Sequence, residues 1–317
     1  MKALYDVPAP AKLNLFLHVT GRRPDGMHLL QSAFMLIDWA DTLHFELRGD
    51  GAISREDLST PLPQDDLVVR AARTLQAMAG ITQGAHISIE KRVPAQAGMG
   101  GGSSDAASCL LALNRLWNLN FTVGKLAEIG VRLGADVPFF LFGGNAWAEG
   151  IGDKLEPLTL PPARFAVVKP DQGIATAQIF VDEALKRDTP AAIISGFAAN
   201  PYGFGTNDLQ AVARGLCPAV GDALEWLASQ GLQGRMTGSG SAVFALLPEG
   251  RSLLSRSPQG RSMVAPPEGW LASKVPPEGW FASKVPPEGW FASKVPPEGW
   301  FASKVPPEGW FASKVPP

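Results

Sequence analysis

Residues 94–108, Pro-Ala-Gln-Ala-Gly-Met-Gly-Gly-Gly-Ser-Ser-Asp-Ala-Ala-Ser, combine the residue types that can hold an anion by its oxygens. Gly98, Gly100, Gly101 and Gly102 free the backbone to take positive φ and let a ligand approach closely. Successive N–H groups in such a loop converge as an anion nest. The alanine-rich helix expected from Ser104 adds unpaired N–H groups and the positive end of its dipole. Together these predict a phosphate cradle. Two familiar phosphate loops do not fit. No lysine follows Gly102, as a P-loop requires, and Ser103 stands where a dinucleotide fingerprint needs glycine. The plain alternative is a glycine-rich turn before an ordinary helix. Pro94, the paired serines and the helix in register favour the cradle.

A second pairing lies near the N-terminus. Residues 11–19 alternate, with Leu13, Leu15, Leu17 and Val19 on one face of a strand and Lys12, Asn14, Phe16 and His18 on the other. A lysine can sit on a strand merely to discourage edge pairing. Asn14, two residues on and on the same face, instead suggests that this face lines a polar pocket.

The elements that must position these groups alternate irregularly. Strands are predicted over 29–37, 42–48, 86–91, 164–169 and 242–247, and helices over 67–79, 104–117, 123–133, 176–186 and 218–230. Gly134 is placed to end the third-named helix segment at 123–133. A second glycine-rich loop runs Gly234–Ser241. Without regular βαβ alternation the fold class is α+β. Two domains are expected, 1–155 and 156–275, the boundary falling in a proline-rich stretch.

The chain has 317 residues and a formal net charge of −2, so it carries no nucleic-acid footprint. Cys109 and Cys217 are far apart and read as reduced, buried thiols. No signal-peptide core or membrane-length apolar run is evident, which predicts a cytoplasmic protein. Residues 266–315 repeat Pro-Pro-Glu-Gly-Trp-Phe-Ala-Ser-Lys-Val five times, with Leu271 for Phe in the first copy. The first copy, 268–275, is expected to be the last strand, and 276–317 to be a disordered tail. A competing reading makes the tail a multivalent ligand or self-association element.

The glycine segment resembles the phosphate loop of the GHMP kinases, the family of galactokinase, homoserine kinase and mevalonate kinase. Pro10–Leu15, Asp25-Gly26-Met27-His28-Leu29-Leu30, Leu133–Phe140 and Thr237-Gly238-Ser239-Gly240 extend the resemblance in order over residues 1–265. They are most similar to the branch that phosphorylates a methylerythritol carried on a cytidine diphosphate, in the methylerythritol phosphate route to isoprenoids. The resemblance implies transfer of the γ-phosphoryl group of ATP, as its Mg²⁺ complex, to the tertiary 2-hydroxyl, with no prosthetic group. It also implies an active site in the cleft between the two domains.

By match to the family, Asp136 is the base and Lys12 the second catalytic group; from spacing alone, Asp136 is an N-cap for the helix containing Pro138. Ser103 and Ser104 are implied to donate to phosphate or touch Mg²⁺. Asp105, a carboxylate in that first turn, is expected to point away or to reach Mg²⁺ through water. Lys91 is implied to lie near the adenine with Pro94 and the glycines around the phosphates. Asp66 replaces the family's usual asparagine at the adenine. Asn14 and Thr176 are implied near the substrate. His28 is implied to read the cytosine edge, with Phe34 and Phe180 around the ring and Met27 in place of a tyrosine. Phe180 reads equally well as a core residue. The nearest alternative is another small-molecule kinase of the same family, against which the Asp-Gly turn before His28 argues.

Overall fold

Two long apolar strands joined at Pro24–Gly26 carry the front of the molecule. The computed structural model describes residues 2–248 and the short strand 282–284. In the first half, β1 (Ala3–Arg22), β2 (His28–Arg48), β3 (Ile53–Asp57) and β4 (Gly84–Glu90) are accompanied by α1 (Leu67–Ala79), α2 (Gly101–Leu116), α3 (Val123–Leu133) and α4 (Val137–Phe142), then β5 (Ala146–Glu149) and β6 (Lys154–Pro157). In the second half, β7 (Arg164–Val168) leads to α5 (Thr176–Val181), α6 (Ile194–Ala199), α7 (Gln210–Leu216) and α8 (Pro218–Ser229), then β8 (Arg235–Met236), β9 (Val243–Leu246) and β10 (Ala282–Lys284). The first sheet runs β3-β4-β2-β5-β6 with β1 also on β2, and the second runs β10-β7-β9-β8.

β1 pairs with β2 in antiparallel register and shifts at four places. Pro8 and Pro10 are tolerated there because, among the described residues, β1 has no second strand partner in the sheet to demand their missing N–H groups. The shift between Asn14 and Leu17 breaks the simple alternation predicted for 11–19. Leu13, Leu15 and Phe16 all join one core cluster, whereas Leu17 and Val19 join another. Lys12 and Asn14 keep their common side, ahead of the bulge.

α1 to α4 cover one face of the first sheet, burying Val68, Leu75, Leu110, Leu113 and Phe139 against Phe45 and Ile87. A further cluster unites Leu13, Phe16 and Met35 with Phe165, Phe197 and Phe244. The chain changes sheets between β6 and β7, but this cluster is common to both sheets. Phe16 is fully buried, with Trp147, Phe197 and Phe204 rings centred 5.1–5.7 Å away. Truncating such a side chain to alanine costs about 3–5 kcal/mol.

Several predicted features differ. The strands expected at 29–37 and 42–48 are one continuous β2. α2 begins at Gly101, not Ser104, so the last two glycines and Ser103 form its first turn. Gly134 ends α3 in an extended conformation (φ −179°), not a left-handed one. The helix expected over 176–186 stops at Val181, because Asp182 turns extended and Arg187 takes up the carbonyls of Phe180, Asp182 and Leu185. The predicted last strand, 268–275, lies outside the described residues, as does the tail apart from 282–284. β7's outer edge is instead paired by Ala282–Lys284 of the second repeat.

Candidate active site

The glycine segment is built to let three backbones meet. Gly98 has φ +70°, and a Cβ there would lie 2.2 Å from the Thr237 carbonyl oxygen. The two glycine-rich loops therefore touch main chain to main chain, tied by Ser241 N–H to Gln96 O (3.0 Å) and Ala242 N–H to Ala97 O (3.2 Å). Gly100, the residue before α2, has φ +72°, and a Cβ would meet the Phe140 ring at 2.7 Å and Lys12 Cγ at 3.3 Å. Lys12 N–H donates to Met99 O at 3.0 Å, which fastens β1 to the loop. Below this junction opens a cavity of about 1080 Å³, lined by the loop, the β1–β2 turn and residues 174–180.

Lys12, Asn14 and Asp136 converge on that cavity. Lys12 is almost wholly buried, donates to Asn14 Oδ1, and stands 3.6 Å from Asp136 Oδ2. Its ammonium also lies 4.8 Å from the centre of the Phe34 ring, a cation–π distance. Asn14 is fixed in turn by donating to Ser32 Oγ (2.9 Å) and by its N–H to Thr237 Oγ1 (2.9 Å). Asp136 occupies the cap position of α4 but makes no side-chain cap bond. Its side chain is 37% exposed and faces the cation, so the capping alternative is set aside. An anchored cation, an oriented amide and an accessible carboxylate within one polar pocket can neutralise developing charge and accept a proton.

Lys91 and Pro94 also line the cavity with Gly98, Gly100, Gly101 and Gly102. The Lys91 ammonium is held between Asp41 and Asp105. Burial works to lower its pKa, but the two carboxylates outweigh that and raise it. Asp41 additionally accepts the N–H groups of Arg92 and Val93 and so shapes the chain entering the loop. Burial pushes the Asp105 carboxyl well above its ordinary value, with Lys91 opposing and Asp41 reinforcing. Asp105 is thus a buried partner of Lys91, a pairing the sequence did not predict. Asp66 caps α1 through Val69 N–H (3.1 Å) and pairs with Arg55 (2.6 Å), while still reaching the cavity wall. The paired serines divide. Ser103 lines the cavity, but Ser104 is fully buried outside its lining, with an unpaired Oγ.

At the other end, Met27, His28, Thr176 and Phe180 line the wall. The His28 and Phe180 rings lie 5.0 Å apart, and Thr176 Oγ1 shares a 2.6 Å hydrogen bond with Ser239 Oγ. Met27 is 47% exposed beside them. Phe34 is not part of this group. It lies six positions along β2 from His28, about 20 Å at the rise of a β-strand. Its ring packs edge-on against Phe139 (5.0 Å) and under Lys12, so the predicted ring sandwich is corrected: Phe34 stands at the Lys12 end of the cavity.

Sequence reasoning missed Asp41 and Arg187. An acid inside the strand sequence Trp39-Ala40-Asp41-Thr42-Leu43 was a usable signal for a buried partner. Arg187, which donates to His28 Nε2 at 3.1 Å, follows a helix end and carries no spacing signal.

The sequence profile described as GHMP kinases N terminal domain matches residues 66–144, and that described as GHMP kinases C terminal matches residues 183–253. A relative from Albidiferax ferrireducens named 4-diphosphocytidyl-2-C-methyl-D-erythritol kinase is 72% identical over 245 residues, covering 77% of this chain and 85% of its own. One of the same name from Variovorax paradoxus is 67% identical, covering 79% and 90%. A crystal structure of 4-(cytidine 5'-diphospho)-2C-methyl-D-erythritol kinase superposes with TM-score 0.66 at 36% identity over 75% of this chain and 88% of that one. A homoserine kinase from Cytophaga hutchinsonii (TM-score 0.59, 18% identity, covering 78% and 85%) shares the fold. The chain belongs to the GHMP kinases and, within them, to the 4-diphosphocytidyl-2-C-methyl-D-erythritol kinase family.

Proposed function

We propose that this chain transfers the γ-phosphoryl group of ATP to the 2-hydroxyl of 4-diphosphocytidyl-2-C-methyl-D-erythritol, giving the 2-phosphate and ADP for isoprenoid precursor synthesis. One observation carries the reading: the Lys12–Asn14–Asp136 cluster and the His28–Phe180 pair line the same cavity as the glycine loop. A reacting hydroxyl, a triphosphate and an aromatic base each have a matching wall.

Phosphoryl transfer through a loose transition state needs positioning and charge neutralisation more than covalent help. The substrate 2-hydroxyl oxygen attacks the γ-phosphorus as the bond to the β-bridging oxygen breaks, and ADP leaves. Asp136 accepts the hydroxyl proton. Lys12, held by Asn14, presents its ammonium to the oxygens where charge builds. The N–H groups of the loop and the first turn of α2 hold the phosphates. The Ser103 hydroxyl, an oxygen donor in the cavity wall, fits a hard cation and would help hold the Mg²⁺ of the nucleotide, which would supply charge neutralisation at the phosphates. Among the described residues no cluster of three or more His, Cys, Asp and Glu groups is arranged to hold a metal. Lys91 and Asp66 flank the nucleotide, and Thr176 the substrate diphosphate.

His28 reads the cytosine edge against Phe180, with Met27 covering the ring. The thioether offers polarizable contact but no planar π surface. Among the described residues no helix is long and apolar enough to cross a membrane; we place the enzyme in the cytoplasm, acting on small molecules, with no nucleic-acid or membrane partner and no selected role for the repeat tail. ATP-dependent turnover of the cytidine diphosphate substrate, with homoserine and mevalonate as competitors for the assignment, tests the reading. Turnover of either competitor in place of the cytidine substrate would overturn it.

A further inference from the structure

Arg187 ties together the two side chains at the base end of the cavity. Its Nε–H donates to His28 Nε2 at 3.1 Å. The same guanidinium donates from Nη2 to the carbonyls of Phe180 (3.0 Å) and Asp182 (2.7 Å), and from Nη1 to Leu185 O (2.9 Å). Four bonds from one planar fork therefore register the start of β2 against the end of α5. The Phe180 ring they hold lies 5.0 Å from the His28 ring.

A guanidinium has donors only. The His28 nitrogen it reaches must therefore offer a lone pair, which leaves the ring proton of a neutral imidazole on Nδ1. The surroundings of His28 favour its neutral form. Partial burial, then Arg187 and Arg22, all push its pKa below the ordinary value. Asp25, the acid in the turn before it, is paired with Arg23 at 2.7 Å.

The consequence is a base filter. Cytosine presents an acceptor at N3 where uracil presents an N–H donor. A neutral ring with a fixed Nδ1–H satisfies the first and opposes the second. We propose that Arg187 is a specificity-determining positioning residue: by donating to His28 Nε2 it fixes a donor at Nδ1, and so selects cytosine over uracil in the diphosphate substrate. This rests on the function proposed above.

The test uses the full chain, labelled with ¹⁵N-histidine, as wild type, Arg187→Met and Arg187→Lys. In wild type the His28 signals are those of an Nδ1-protonated ring from pH 6.5 to 8. In Arg187→Met the proton moves to Nε2 in a large fraction of molecules, and the ring titrates at higher pH. Turnover is compared with the cytidine substrate and its uridine counterpart. Wild type prefers cytidine about a hundredfold, the scale of a mismatched buried donor. In Arg187→Met, KM for the cytidine substrate rises about tenfold, kcat stays within twofold, and the preference falls about tenfold. Arg187→Lys keeps a positive charge but lacks the fork, and behaves like Arg187→Met; it also serves if the methionine variant does not fold.

An unchanged tautomer in both variants would overturn the proposal. So would a KM that rises equally for the two bases, which is the signature of loop anchoring alone. If wild type turns over neither substrate, the proposed function falls by itself; the nitrogen signals of wild type and variants then decide whether Arg187 sets the His28 proton.

Discussion

Replacing Lys12 by methionine separates what this residue does for catalysis from what it does for the fold. The ammonium lies 3.6 Å from Asp136 Oδ2. At an effective dielectric constant near 20 that separation corresponds to about 4–5 kcal/mol of attraction. Asp136 is 37% exposed, so solvent screening reduces its share to about 1 kcal/mol. Removing Lys12 therefore leaves Asp136 in contact with water rather than stranded. Asn14 Oδ1 loses a donor, at about 1–3 kcal/mol. Against that, a buried ammonium is exchanged for an apolar chain beside Phe34, which relieves a desolvation penalty of several kcal/mol. The two nearly cancel, so Tm should move by only a few degrees. The transition state has no such compensation. Removing one preorganised charge from the reacting oxygens costs about 10²–10³ in kcat. The assay is ADP release at saturating ATP and substrate, beside a thermal melt of the same preparation. A kcat within tenfold of wild type, with Tm unchanged, would refute the placing of Lys12 at the reacting oxygens.

Other expectations follow from neighbouring residues. Ser103→Ala should raise KM for ATP about tenfold, the loss of one hydrogen bond to a charged group, whereas Ser104→Ala should leave it within twofold; steady-state kinetics on the pair distinguishes them, and equal effects would contradict the burial of Ser104. Asp105, whose folded pKa is raised, contributes stability that is full below its unfolded value near 4 and is lost as pH rises through the folded value. Asp105→Asn should therefore gain Tm relative to wild type at pH 8, and the gain should shrink on acidification to pH 4; melts across that range check the sign. A chain ending at Val275 retains one Ala-Ser-Lys copy, the sequence that pairs with β7 in Ala282–Lys284. It should keep kcat/KM within twofold in the same ADP-release assay, and a larger loss would give the later repeats a role in the fold.

The parts legible in the sequence were those with local causes. Helical periodicity placed α1 and α3 to the residue, because each has a side-chain cap, Asp66 and Thr122, and a glycine directly after its last turn. The glycine loop was legible because backbone freedom and anion binding require the same residue. The start of α2 was not, since Gly101 and Gly102 are poor helix formers whose helical state is set by tertiary neighbours, Val93 beside Gly101 and Leu67 beside Gly102. The bulge after Asn14 could not be read either. A strand's alternation is broken by its partner's register, and β1 takes its register from residues of β2 some 20 positions away. Resemblance identified Lys12, Asn14 and Asp136 one by one, and the fold brings them together. It misplaced Phe34 because the distance along β2 from His28 is a property of the strand, and it passed over Arg187 because that residue acts through a hydrogen bond between distant segments.

The account stands most directly on Asp136 as the group that accepts the hydroxyl proton. The decisive measurement is the rate of ATP-dependent phosphorylation of 4-diphosphocytidyl-2-C-methyl-D-erythritol by the intact chain and by Asp136→Asn, with the binding of ATP and substrate measured on both. The asparagine keeps the shape and the exposed position, and removes the base. The account predicts a fall in kcat of at least about 10² with both ligands still bound. Turnover by Asp136→Asn at the wild-type rate, or a loss explained wholly by weaker binding, would contradict it.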